Sequence, residues 1–346
     1  MSRGITERSG GVSTLTRKDF VSDQEVRWCP GCGDYAVLAA IQSMMPDLGI
    51  PLEKIVFVSG IGCASRFPYY MNTYGVHGIH GRAPAIATGL ATARPDLHVW
   101  VVMGDGDALS IGGNHLIHAL RRNVNMTLLM FNNQIYGLTK GQYSPTSEEG
   151  KVTKSTPFGS LERPFNPISV ALGAEASFVA RTMDIERKHL PVIVKRAAEH
   201  RGAAFVEIYQ NCNIFNDGAF AALTSKEGGS AKRIYLEHRQ PIRFGQDGEK
   251  GVVMKPSGEL EIVNVEDVGA DKILSHDESR DDPSLAFALS RLASGPTMPT
   301  PLGVFRSVER PVYGDAMEHQ LRTAAEQQGP GDLHQLLNSG DVWTVE

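Results

Sequence analysis

The 346-residue sequence predicts an α/β fold, a parallel sheet sandwiched by helices with a smaller C-terminal extension. Two observations carry that expectation. Short, uninterrupted apolar runs alternate with segments of helical period, and Gly, Pro, Asp or Asn marks most junctions. Strands apolar on both faces belong to sheets covered on both sides, the usual setting of parallel sheets. In chain order, residues 1–22 are polar, without apolar periodicity, and read as a flexible tail. KIVFVSG (54–60) reads as a buried strand, and APAIATGLATARP (83–95) as a closely packing helix of small residues that stops at its proline. HVWVVMG (98–104) is a second strand, GGNHLIHALRRN (112–123) a helix and NMTLLMF (125–131) a third strand. SFVAR (177–181) and the stronger AAFVEIYQ (203–210) complete the set. Residues 184–200 have helical composition, yet a proline inside a helix costs about 3 kcal/mol. Two helices are therefore predicted, the second starting at Pro191. The main unit spans 23–222. From 223 to 346, polar breaks surround brief strand-like runs, GVVM and EIVNV.

Composition excludes several classes. Hydrophobic content of 41% and charged content of 21% are ordinary for a globular protein. A net charge of −5 with no Lys/Arg block argues against a nucleic-acid partner. The first 20 residues lack the apolar core of a secretory signal, and no stretch approaches the ~20 apolar residues of a membrane helix. Sparse cysteine and no export signal fit a reducing cytoplasm, where C-x-x-C serves metal or redox chemistry.

All four cysteines fall in distinctive settings: Cys29 and Cys32 in WCPGCG, Cys63 in GIGCAS and Cys212 in YQNCN. Four thiolates close either a [4Fe–4S] cube or a structural zinc site, and spacing leaves both open. A second motif is independent of the first. The strand HVWVVM ends in Gly104-Asp105-Gly106-Asp107, where glycines let backbone approach a phosphate at a helix start. Asn133 follows Asp105 by 28 positions, at the end of the next strand. Adjacent parallel strands would put both over one pocket at the carboxyl edge of the sheet. A carboxylate, an amide oxygen and a main-chain carbonyl suit Mg²⁺ that also grips a diphosphate.

The second motif, GDG and then NN, resembles the thiamine diphosphate signature. WCPGCG, GIGCASR, HGRAPAIATGL, GDGDALSIGGNH and NNQIYGLTKGQYSPTS, in that order, resemble the beta subunit of 2-oxoacid:ferredoxin oxidoreductases over roughly residues 26–220. The resemblance implies a thiamine diphosphate-binding domain with one [4Fe–4S] cluster on Cys29, Cys32, Cys63 and Cys212. It implies Mg²⁺ on Asp105, Asn133 and the Ile135 carbonyl. Cofactor contacts are implied for Ile61, Gly62, Cys63, Ala64, His80, Gly81, Arg82, Ala83, Gly104, Gly106, Asp107, Gly137 and Leu138. Arg66 and Lys140 would receive a distal carboxylate, which favours 2-oxoglutarate over pyruvate. The implied activity is coenzyme A-dependent oxidative decarboxylation with electrons passed to ferredoxin. An alpha subunit would supply the missing glutamate, in a dimer of heterodimers, and the extension would pack on the main domain or on that subunit. A pyruvate or broad 2-oxoacid enzyme, a thiamine enzyme without electron transfer and a zinc-binding assembly subunit are the competing expectations. The polar stretch 141–164 is long for a loop and reads as a lid or subunit contact.

Overall fold

The computed structural model describes residues 15–292 and 299–345. In chain order, α1 (Asp34–Met44) precedes β1 (Ile55–Ser59), β2 (Tyr74–His77), α2 (Ala83–Ala93) and β3 (His98–Gly104). There follow α3 (Asp105–Leu109), α4 (Gly113–Arg121), β4 (Met126–Asn132), α5 (Pro167–Gly173), β5 (Phe178–Met183), α6 (His189–Glu199) and β6 (Ala203–Tyr209). The extension adds α7 (Ala221–Thr224), β7 (Arg233–Leu236), β8 (Arg243–Phe244), β9 (Lys250–Met254), β10 (Leu260–Asn264), α8 (Val265–Val268) and α9 (Ser284–Arg291). It closes with β11 (Thr300–Ser307), α10 (Tyr313–Gln328) and α11 (Leu333–Leu337).

Among the described residues, one sheet has the order β2-β1-β3-β4-β6-β5-β11-β7. The first six strands run parallel; β11 pairs antiparallel with β5 and parallel with β7. Alternation along the strands divides the core. Val56, Val58, Val101, Met103, Leu128 and Met130 pack with Ala83, Ala87 and Ala91 of α2 and Leu116, Ala119 and Leu120 of α4. Phe57, Trp100, Val102, Leu129 and Phe131 pack on the other side with Val37, Leu38 and Ile41 of α1 and Leu190, Ile193 and Val194 of α6. Both sides being covered explains why these strands read as unbroken apolar runs. GVVM and EIVNV form an antiparallel hairpin within a separate small sheet of β8, β9 and β10.

Three features depart from the sequence reading. The tail expected over 1–22 is not free over its second part: Phe20 is fully buried, Val21 bridges to Met71, and the Asn72 amide donates to the Asp19 carbonyl at 2.8 Å. Residues 1–14 lie outside the described residues. A single helix, α6, replaces the pair expected across Pro191, which sits in its first turn. The N–H groups of a first turn have no intrahelical partner, so proline there forfeits nothing. Finally, β7 and β11 join the main sheet, so the boundary near 222 is not a break in the core.

Candidate active site

The carboxyl ends of β1, β2, β3, β4 and β6 share one edge, and the loops leaving the first four enclose a cleft. Ile61, Gly62, Cys63, Ala64, His80, Gly104, Asp105, Gly106, Asp107, Asn133, Ile135, Tyr136, Gly137 and Leu138 all line it. Of the other residues expected to touch a cofactor, Gly81 sits behind this surface, its N–H donating to Asp107 Oδ1 at 2.8 Å. Arg82 turns back to donate to the carbonyls of His80 and Ile111, at 3.4 and 3.3 Å. Ala83 is buried in the core.

Asp107 clasps two loops. Its Oδ1 also accepts from Ile61 N–H at 3.3 Å and meets His80 Nδ1 at 3.1 Å. Glycine is required nearby for steric reasons: a Cβ on Gly106 would lie 2.2 Å from the Tyr136 ring, and one on Gly60 would lie 1.9 Å from Asp107 Oδ2. On Gly104, by contrast, it would meet nothing within 4 Å, so the strand end is open to a ligand.

Asp105 is buried at the start of α3. Its Oδ2 accepts from Ser144 Oγ at 2.5 Å and lies 2.5 Å from Thr146 Oγ1. Burial pushes its carboxyl up to about 6, against the pull of those hydroxyls. A divalent cation would oppose that upward shift and hold the group as carboxylate. Asn133 lines the same cleft, with its Oδ1 accepting from Ile135 N–H at 3.1 Å. Carboxylate, amide oxygen and a main-chain carbonyl on one cleft form a donor set that fits Mg²⁺ held against phosphate.

Cys63 lines the same cleft, and Cys212 lies beside its wall. A Cβ built on Gly137 would lie 3.5 Å from Cys212 Sγ and 3.6 Å from Cys63 Sγ, so both sulfurs abut a glycine that lines the cleft. Cys32 N–H donates to the Cys29 carbonyl at 3.1 Å, closing the C-x-x-C turn. Trp28 Nε1 donates to the Cys63 carbonyl at 2.7 Å, tying that turn's approach to the third cysteine. Burial, then the Asp34 carboxylate, then neighbouring cysteines push the Cys63 thiol up to about 12 and raise Cys32 as well. Bare thiolates are therefore disfavoured here, and a cationic centre would stabilise them. Among the described residues, no group of three or more His, Cys, Asp or Glu is set to hold a single metal ion.

Of the two basic residues expected at the substrate, Arg66 lines an adjoining cleft that shares Ile61, Gly62 and Leu138 with the first. Arg27, Tyr69 and His77 line it too. Lys140 is exposed, has a left-handed backbone (φ 76°) and lines neither cleft. Sequence reasoning missed four contributors: Ser144 and Thr146, which hold Asp105; Asn132, whose Oδ1 lies 3.0 Å from Thr146 Oγ1; and Gln210, which touches Asn133. Ser144 and Thr146 stand in the SPTS tract and Gln210 two residues before Cys212, but nothing in their spacing reports a contact across the fold.

This chain is similar to proteins of known function. The thiamine pyrophosphate enzyme C-terminal TPP-binding domain matches residues 60–208. The 2-oxoglutarate oxidoreductase subunit KorB of Mycobacterium tuberculosis is 60% identical over 345 residues, covering 98% of this chain and 92% of that protein. The 2-oxoacid:ferredoxin oxidoreductase 1 beta subunit of Aeropyrum pernix is 46% identical over 60% of this chain and 64% of its own. Among solved structures, the 2-oxoglutarate:ferredoxin oxidoreductase from Magnetococcus marinus, with 2-oxoglutarate, coenzyme A and succinyl-CoA bound, superposes with a TM-score of 0.74 at 33% identity. That match covers 95% of this chain and 97% of the other. With a cofactor cleft at the sheet edge and a full-length relative at this identity, the chain belongs to the beta subunits of the 2-oxoacid:ferredoxin oxidoreductases, in the group of the 2-oxoglutarate enzyme.

Proposed function

We propose that this chain carries the thiamine diphosphate and [4Fe–4S] centre of a 2-oxoglutarate:ferredoxin oxidoreductase, which converts 2-oxoglutarate and coenzyme A to succinyl-CoA and CO₂. One observation carries the reading: Gly137 lines the cleft of Asp105, Asn133 and Ile135 and also abuts the sulfurs of Cys63 and Cys212. Thiamine diphosphate supplies the nucleophile and electron sink for decarboxylation, and the cluster takes electrons one at a time.

The chain's own residues prepare that chemistry. Gly104 and Gly106 let the backbone approach the diphosphate, and Asp105, Asn133 and the Ile135 carbonyl hold Mg²⁺ on it. Asp107 keeps the 60–61 and 80–81 loops at the cleft by accepting from both. Cys29, Cys32, Cys63 and Cys212 ligate the cluster. Arg66, in the adjoining cleft, receives the distal carboxylate of 2-oxoglutarate; Lys140 would need the partner's contacts to reach it. An alpha subunit closes the open side of the cleft and supplies the glutamate for the aminopyrimidine, in a dimer of heterodimers, and ferredoxin collects the electrons. No described helix is long and apolar enough to cross a membrane.

The test is anaerobic purification of the chain alone and with its alpha subunit. The expected result is about four irons and four sulfides per chain, lost in Cys63→Ser and Cys212→Ser, and 2-oxoglutarate-dependent ferredoxin reduction only in the complex. Stoichiometric zinc in place of iron, or full turnover by the isolated chain, would overturn it.

A further inference from the structure

We propose that Gln210 is a positioning residue for the cation site and the cluster at once, the hydrogen-bonded link through which each senses the other. The inference rests on the reading that the four cysteines hold an iron–sulfur cluster. Gln210 follows β6 and is fully buried; its main-chain N–H donates to the Asn132 carbonyl at 2.9 Å, fixing it beside the end of β4.

The orientation of its amide follows from one partner that has no choice. The Asn211 carbonyl can only accept, so the Gln210 atom 2.6 Å away is the NH₂ nitrogen. Its Oε1 must then be the atom facing Asn133, 3.0 Å away, and the Asn133 group there is its own NH₂. Asn133 is thereby held with Oδ1 at its other end, where it accepts from Ile135 N–H. Gln210 Oε1 and the Ile135 N–H together hold Asn133 so that oxygen, and not NH₂, is offered to a cation. The Gln210 NH₂ also donates to Cys32 Sγ at 3.2 Å.

Two consequences follow. Removing Gln210 takes away one of the two bonds that hold Asn133, which loosens that ligand and weakens cation-dependent cofactor binding. Removing its N–H···S bond takes away a donor that favours the more negative, reduced cluster, so the reduction potential falls. The two are coupled. A cation on Asn133 Oδ1 polarises that amide, strengthens its donation to Gln210, and strengthens in turn the donation to Cys32. By linkage, cofactor binding raises the cluster potential, and cluster reduction tightens cofactor binding by the same factor.

The experiment uses the iron-loaded complex with its alpha subunit. The cluster midpoint is followed by electron paramagnetic resonance with and without Mg²⁺ and thiamine diphosphate, and Mg²⁺-dependent cofactor affinity is titrated. In the wild type the midpoint rises when the cofactor binds. Gln210→Met, of similar size, lowers the midpoint by a tenfold change in the reduction equilibrium, 59 mV for one electron. It also weakens the affinity about tenfold and abolishes the response to cofactor. Gln210→Glu keeps an acceptor for Asn133, so the affinity holds within threefold while the midpoint falls. An iron-loaded Gln210→Met complex with unchanged midpoint and affinity would overturn the proposal. If that variant does not fold, a wild-type midpoint indifferent to Mg²⁺ and thiamine diphosphate does so alone. An iron-free wild type sinks the cluster reading and this link with it; an iron-loaded, unresponsive one sinks the link only.

Discussion

Charged forms lose hydration in a protein interior, and four histidines away from the cleft register that loss. His98, His189, His200 and His276 are all held below their ordinary value of 6.5, chiefly by burial. His200 is lowered furthest, to about 4, where its Nε2 meets Ser177 Oγ at 2.7 Å. Its folded value lies below its unfolded one, so the unfolded chain binds the extra proton between those two values. Stability is whole above pH 6.5 and is lost as pH falls towards 4, by on the order of 2 kcal/mol for His200 after allowing for its residual exposure. Thermal melts at pH 7.5 and 5 should therefore separate, and His200→Gln should narrow the gap. An unchanged gap would mean that His200 does not titrate across this range.

The strands β5 and β6 depend on a pair of charges placed side by side. Arg181 and Glu207 are register partners, both buried, with Nε 2.6 Å from Oε2. Burial lowers Arg181's hold on its proton, but the Glu207 carboxylate more than offsets this, and the guanidinium stays charged. Asn132 Nδ2 donates to Glu207 Oε1 at 2.7 Å, and the Arg181 guanidinium sits 5.1 Å from the centre of the Tyr209 ring. The pair therefore lies one residue, Asn132, away from the loop that holds Asp105. Arg181→Met would strand a buried carboxylate and should cost about 3–5 kcal/mol in urea unfolding. Adding Glu207→Gln, which still accepts from Asn132, should recover at least half of that; a double variant as unstable as the single one would refute the charge argument. The helix α6 teaches a related lesson about local rules. The sequence predicts a helix boundary at Pro191, yet its place in the first turn makes it harmless, and the helix packs Leu190, Ile193 and Val194 into the core.

On the scale of the whole molecule, the stretch after β4 does two jobs. Its inner side supplies Ser144 and Thr146 to Asp105, while its outer side leaves Phe158 100% and Leu161 91% exposed. Large apolar side chains left this exposed make the stretch a candidate partner contact. Phe158→Ser with Leu161→Ser should leave the chain's melting temperature within about 2 °C and weaken its association with the alpha subunit by tenfold or more, read by native mass spectrometry. Unaltered association would assign the patch to something else. Much of this molecule was legible in one dimension. Unbroken apolar runs specify strands buried on both faces, and GDGD and NN mark strand ends, because both signals depend on residues adjacent in the chain. The edge strand β2 escaped notice because it is short and exposed, and the anchoring of Phe20 did so because one buried aromatic makes no period. The entry of β7 and β11 into the main sheet was equally invisible, since strand order is set by which edges meet. By itself, then, the chain's order of residues determined the α/β class, the candidate metal ligands and the family. Only tertiary structure decided that Cys63 and Cys212 abut Gly137, that Arg66 and not Lys140 borders the cleft, and that Gln210 joins Asn133 to Cys32. Those facts are distances between segments far apart in sequence, and packing alone fixes such distances.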